Sequence, residues 1–203
     1  MPDELELVRK AAEGDDSAFE QLVNQYQKPV YNLAYRMCGN ADDAFDLSQE
    51  AFLNAWKGLK GFQFQSSFST WLYRLTSNVC LSYLRSKKRK SAVSLVFLDE
   101  EEEEQEWSIP DSAPSPEEQA ISREEHSQVE AALNSLEVEY REALSLSVYS
   151  GLSYQQIAEI QGVQEGTVKS RIFRAREKIR RIMQSGNNTR SSASKTAKGG
   201  GTV

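Results

Sequence analysis

Near the C-terminus, Lys169, Ser170, Phe173, Arg174 and Arg176 share one side of a helically spaced stretch. Lysine and arginine there can reach guanine edges or phosphates, serine can bond to either, and a phenyl ring suits a thymine methyl. Arg171 lies beside this set and is expected on a phosphate. A second group occupies residues 51–98, which carry eight basic side chains and no acidic one, together with Phe62, Phe64, Trp71 and Tyr73. Positive charge beside aromatic faces is what unpaired bases need, because the charge follows phosphates and the rings stack. A third group, Asp42, Asp43, Asp46 and Glu50, recurs every three or four residues and forms the acidic edge of a helix.

The chain has 203 residues and a net charge of −6. That total hides an alternation. Residues 1–50 carry −7, residues 51–98 carry +8, residues 99–164 carry −15 and residues 165–203 carry +8. Surfaces that face different partners sort charge in this way. No apolar run is long enough for a membrane span, and the start Met1-Pro2-Asp3-Glu4 has no signal core, so a cytoplasmic location and no direct membrane insertion are expected. Cys38 and Cys80 have apolar neighbours at helical spacing and read as reduced, buried thiols. His126 sits among charges without metal-binding companions. With no zinc pattern, phosphate-cradling glycine loop or nucleophile elbow, no catalytic residue, metal or cofactor is expected, and an enzyme is disfavoured.

Helical periodicity dominates. A first helix is expected over about Leu5 to Glu13, ending at Gly14, and Asp15, Asp16 or Ser17 can cap a second. Pro29 should break or kink that helix before Val30, Leu33, Ala34 and Met37 continue it to Gly39. A third helix carries Ala44, Leu47, Ala51 and Ala55 on one stripe, with Phe45, Phe52, Trp56 and Leu59 widening it. A loop from Gly58 to Ser69 should expose Phe62 and Phe64, and Ser69 or Thr70 should cap a fourth helix running to about Arg89. Leu72, Leu75 and Val79 form that helix's core stripe, while Trp71, Asn78 and Arg85, with Arg74 between them, mark another face.

Residues 87–118 read as a tether: a basic start, seven acids in eight positions from Asp99 to Glu106, then Pro110, Pro114 and Pro116. Helical pattern resumes after Pro116. Ser153 with Gln156 forms a capping box, Gly162 permits a tight turn, and Val168, Ile172, Ala175 and Ile179 give the buried face of a second helix. This is helix-turn-helix spacing, with the basic face on the helix that would enter a major groove.

Three segments resemble the small extracytoplasmic-function (group IV) sigma factors of the bacterial sigma-70 family. They are Asp43-Ala-Phe-Asp-Leu-Ser-Gln-Glu-Ala-Phe-Leu-Asn-Ala-Trp56, Phe68-Ser-Thr-Trp-Leu-Tyr-Arg-Leu75 and the helix-turn-helix from Gly151 to Arg181, in that order. The resemblance implies an all-α chain of two small helical domains, sigma region 2 and sigma region 4, joined by a flexible acidic linker. It implies a subunit that binds core RNA polymerase, through the clamp helices and the flap, and directs initiation at promoter DNA. Asp43, Asp46, Gln49 and Glu50 would then dock on the clamp helices. Phe62, Phe64, Ser66, Trp71, Arg74, Asn78 and Arg85 would recognise and melt the −10 element. Lys169, Ser170, Arg171, Phe173, Arg174 and Arg176 would read the −35 element. This chain has Phe45 where the family commonly has an acid, and Gln63-Phe64-Gln65 where the family often has Arg-Gly-acid.

The expected division is residues 1–90 for region 2, 91–118 for the acidic, proline-containing linker, 119–184 for region 4 and 185–203 for a disordered basic tail. An anti-sigma factor is the family's common regulator and is a possible partner. The acidic run of the linker is expected to mimic nucleic acid along the polymerase cleft. The alternative to a polymerase subunit is a stand-alone helix-turn-helix transcriptional regulator.

Overall fold

A computed structural model describes residues 4–94 and 128–196, with side chains described for 4–90 and 128–184. Among the described residues every regular element is helical. Helix α1 (Glu4–Ala12) buries Leu7, Val8 and Ala11. Asp15 caps α2 (Asp16–Cys38) by accepting the Ala18 N–H at 3.1 Å, a contact worth about 1 kcal/mol.

The expected break at Pro29 is absent, because α2 runs straight through it. A proline inside a helix costs about 3 kcal/mol. Leu22, Val30, Leu33 and Met37 are fully buried along one face of α2, and each such burial contributes about 1.5–3 kcal/mol. A continuous buried face outweighs the one lost amide donor. The helix stops at Gly39, whose left-handed φ of 75° lets its N–H return to the Tyr35 carbonyl at 2.8 Å.

Helix α3 (Ala41–Gly58), capped by Asn40, buries Ala44, Leu47, Ala51 and Ala55 as the spacing requires. Phe45 does not widen this stripe. It lies 56% exposed, since one residue beyond Ala44 is a 100° turn away from the core. A short 3-10 turn (Leu59–Gly61) leads to α4 (Phe68–Ser94). The cap of α4 is Ser67, whose Oγ accepts the Thr70 N–H at 3.2 Å, rather than Ser69 or Thr70. Helix α4 continues to Ser94, past the expected edge at residue 90. The acidic run, the three linker prolines, Ile121 and His126 lie outside the described residues.

In the C-terminal half, α5 (residues 128–134) and α6 (Val138–Tyr149) precede α7 (Tyr154–Gln161) and α8 (Glu165–Thr196). The capping box forms on α7. The Ser153 N–H donates to Gln156 Oε1 at 2.9 Å, and the Gln156 N–H donates to Ser153 Oγ at 3.2 Å. Gly162 turns the chain at φ 63°, and Val168, Ile172 and Ala175 of α8 are buried. Helix α8 extends to Thr196, into the stretch expected to be an unstructured tail from Ser185. That stretch is polar but has no proline, so nothing in its covalent chemistry forces a stop.

The two halves pack on each other, α6 against α2 and α7 against α4, and one buried apolar cluster runs through both. Arg141 of α6, only 8% exposed, binds this seam together. Its Nη1 donates to the Met37 carbonyl in the last turn of α2 at 2.7 Å. Its Nη2 donates to the carbonyls of Asn134 at 2.8 Å and Leu136 at 3.2 Å. Opposite, a Cβ added to Gly39 would come within 2.8 Å of the Asn134 side-chain amide, which would have to shift, while the left-handed φ is what calls for glycine at position 39. Cys38 is half-buried and Cys80 buried, both as free thiols. Burial pushes the Cys80 thiol up to about 12, which suits the expected inert, reduced role.

Candidate functional site

Three surfaces carry the residues singled out by type and spacing. The first is the outer face of α8. Because Val168, Ile172 and Ala175 face the core, Lys169, Ser170, Phe173, Arg174 and Arg176 are turned to solvent. Phe173 is 67% exposed, the most open large apolar side chain among the described residues. Lys169 is held against Glu165 at 2.8 Å, which raises its pKa, and its ammonium lies over the Tyr154 ring. Ser170 Oγ donates to the Thr167 carbonyl at 2.8 Å, and Arg174 Nη1 reaches Tyr140 Oη at 3.3 Å. Arg171 differs from the rest. It is half-buried and donates to Gln161 Oε1 at 2.9 Å, tying α8 to α7. A shallow cleft of about 340 Å³ between α6 and α8 is lined by Tyr140, Thr167, Ser170, Arg171 and Arg174, with Glu137 and Glu139 at its edge.

The second surface is built on an aromatic stack at the start of α4. Phe62 lies 5.1 Å from Trp71 and 4.9 Å from Phe64, and Trp71 lies 5.9 Å from Phe68. Phe68 is 3% exposed and belongs to the core. Phe62, expected to be exposed, is half-buried because it fills the gap beside Trp71. Trp71 is half-buried, with the edge of its ring against Gly58. Phe64 is the open end of the stack, 43% exposed with the Arg9 guanidinium 6.0 Å from its ring. Phe64 is also the only non-glycine residue with positive φ among the described residues, at 57°. A bulky residue there is strained by roughly 1–2 kcal/mol. Ser66 is half-buried at the loop's edge. Asn78 and Arg85 continue the ridge of α4 as exposed residues, but Arg74 is engaged by Glu159 of α7.

The third surface is the exposed edge of α3. Asp46, Gln49 and Glu50 face solvent, flanked by the exposed apolar side chains of Phe45 and Leu53. Asp43 is turned inward instead. Its carboxylate accepts a short hydrogen bond from Tyr83 and lies 3.6 Å from Lys87, tying α3 to α4. Spacing alone put Asp43 with Asp46 and missed Tyr83, which lies 40 residues away.

Other polar groups at the seam had no local signal. Tyr35 Oη donates to Glu130 at 2.7 Å, and Arg36 stacks over the Tyr149 ring at 4.8 Å. Glu142 is 3% exposed, and burial raises its pKa above the usual carboxylate value. No group of three or more histidine, cysteine, aspartate or glutamate side chains with metal-site geometry occurs among the described residues, and no described helix is long and apolar enough to cross a membrane.

Comparison with known proteins matches these halves separately. Residues 22–90 fit the Sigma-70 region 2 family model and residues 126–179 the Sigma-70 region 4 model. The chain is 37% identical to the RNA polymerase sigma-H factor of Pseudomonas aeruginosa, over 88% of this chain and 93% of that one. It is 38% identical to the ECF RNA polymerase sigma-E factor of Escherichia coli, over 85% and 90%. It is 33% identical to the ECF RNA polymerase sigma factor SigW of Bacillus subtilis, over 87% and 95%. Among solved structures, the sigma factor RpoE of Bartonella quintana, in complex with the anti-sigma factor NepR, superposes with a TM-score of 0.65 at 28% identity, covering 82% of this chain and 96% of that one.

Proposed function

Since the chain belongs to the extracytoplasmic-function sigma factors of the sigma-70 family, we propose a division of its surfaces among polymerase, melted DNA and duplex DNA. The chain is an RNA polymerase sigma factor. It binds core RNA polymerase and directs promoter-specific initiation. Its partners are core polymerase, promoter DNA and an anti-sigma factor. The work is binding rather than catalysis, and it takes place with polymerase on the chromosome, in the cytoplasm.

The single observation that carries the DNA reading is the two-sided character of α8. One side is locked in the core by Val168, Ile172 and Ala175, and the other presents Lys169, Ser170, Phe173, Arg174 and Arg176. A helix held so rigidly can enter a major groove with its base-reading side chains already aimed. We assign these five to the −35 element. Arg171 is a positioning residue that fixes α8 on α7, with its remaining donors toward phosphate.

For the −10 element, Phe62 and Trp71 form the wall on which Phe64 stands. An extruded base can stack on the open face of Phe64, which returns roughly 1–3 kcal/mol per base against the few kcal/mol that flipping costs. Ser66 and Asn78 offer hydrogen bonds, and Arg74 and Arg85 follow the phosphates. On α3, Asp46, Gln49 and Glu50 form the polar part of the core-docking face, and Phe45 adds apolar contact where the family commonly has an acid. Asp43 supports that face from behind through Tyr83 and Lys87.

Run-off transcription with purified core polymerase on a promoter carrying both elements tests the assignment. Initiation should require this chain and both elements. Tight, specific binding to duplex promoter DNA without core, and no stimulation of initiation, would support the stand-alone regulator instead.

A further inference from the structure

Where α7 crosses α4, the Glu159 carboxylate sits 2.7 Å from Arg74 Nη2, and the same nitrogen donates to the Glu159 carbonyl at 3.2 Å. Gln156 of α7 adds a bond to Thr70 Oγ1 at 3.1 Å. Arg74 lies on the ridge shared with Trp71 and Asn78, three residues from one and four from the other. An arginine on such a ridge has two natural anionic partners, a carboxylate and a phosphate, and binds both through the same fork of donors.

We propose that the free chain masks its own strand-reading face. The Glu159 carboxylate occupies the Arg74 guanidinium in the place of a DNA phosphate, and α7 must leave α4 before both promoter elements can be held. This rests on the assignment of Arg74 to the −10 strand.

Distance supports the second half of the proposal. Elements centred about 25 base pairs apart lie roughly 85 Å apart along straight duplex, whereas here the two reading modules are in hydrogen-bond contact. The 33 residues from 95 to 127 can span at most about 110 Å, so the covalent connection permits the separation that the packing forbids.

The seam is also built to part. Arg74 Nε is buried at the seam without a hydrogen bond of its own. That nitrogen regains water when the modules separate, which subtracts from the stability of the closed form. The Arg74–Glu159 pair itself is partly exposed, with side chains 37% and 46% accessible, so it is a weak contact that core polymerase and DNA can displace.

A phosphate contact carries no sequence information, so the probe is a short, fluorescein-labelled single strand of mixed sequence, bound to the full chain without core. Glu159→Gln should tighten binding about threefold. Glu20→Gln removes the same charge from an exposed position of α2 and should change affinity far less. Adding Arg74→Ala to Glu159→Gln should abolish the gain. No gain over the Glu20→Gln control, or a gain that survives loss of Arg74, overturns the mask. Arg74→Ala in the holoenzyme isolates the underlying assignment. If open-complex formation on duplex promoter is unaffected there, Arg74 does not serve the −10 strand, whatever Glu159 does.

Discussion

Replacing Arg141 by alanine is expected to destabilise the chain by about 3–5 kcal/mol. The magnitude follows from what its guanidinium does. Three backbone carbonyls, of Met37, Asn134 and Leu136, accept from it at 2.7, 2.8 and 3.2 Å. A buried acceptor left without a donor costs about 1–3 kcal/mol. Met37 lies in the last turn of α2, where a cation also complements the helix dipole by up to about 2 kcal/mol. Water entering the vacated space offsets part of this total, which sets the range at the level of a broken buried ion pair. Burial lowers the Arg141 pKa, but a guanidinium stays charged between about pH 6 and 9, so the loss should not vary across that range. Arg141→Lys should fall between wild type and alanine, because a lysine ammonium carries charge but cannot fork to several carbonyls. Equilibrium urea denaturation of the full chain, followed by far-ultraviolet circular dichroism, measures each value. A loss below about 1 kcal/mol for Arg141→Ala, or equal losses for alanine and lysine, would refute the clamp.

Lys169→Ala and Arg174→Ala should each cost about 1–3 kcal/mol of −35 discrimination, and Phe173→Ala should relax one position of the element without altering the unfolding midpoint, because the ring is exposed. Transcription from a promoter with an altered −35 element that falls equally for wild type and variants would count against that face. Phe64→Gly should raise the unfolding midpoint slightly, since it relieves the positive-φ strain, while slowing promoter opening. A pre-melted template should restore the rate, and failure of that rescue would move Phe64 out of the melting step. Glu142 has its carboxyl pKa raised by burial, so the unfolded chain ionises first as pH rises above 4.5 and stability falls from there through the raised folded value. Glu142→Gln should flatten that fall and be more stable than wild type at neutral pH, with the difference closing toward about pH 4.5. Urea midpoints across this range decide it.

The helices were legible because what specifies them is local. Asp15, Asn40 and Ser153 cap within three residues, and the stripes Ala44-Leu47-Ala51-Ala55 and Val168-Ile172-Ala175 repeat with the helical period. The exposed basic face of α8 followed from the same arithmetic. Pro29 defeated a local rule because burial along the whole of α2 outweighed it.

What stayed hidden depends on partners far along the chain. The alternation of charge separated basic from acidic segments, but gave no sign that Glu159, 85 residues from Arg74, would close on it. Asp43 shares its spacing with Asp46, yet Tyr83 and Lys87 turn it inward. Arg141 stands between Glu139 and Glu142 as one charge among several and becomes a clamp only because the end of α2 arrives beside it. Phe64 takes its left-handed φ in a loop no periodicity describes, against a ring supplied by Phe62. Periodicity and caps sufficed for the elements and the residue types they display. Tertiary packing alone decided which of those charges stay open to solvent and which meet each other, because a side chain's partner is set by the approach of elements whose separation along the chain carries no period.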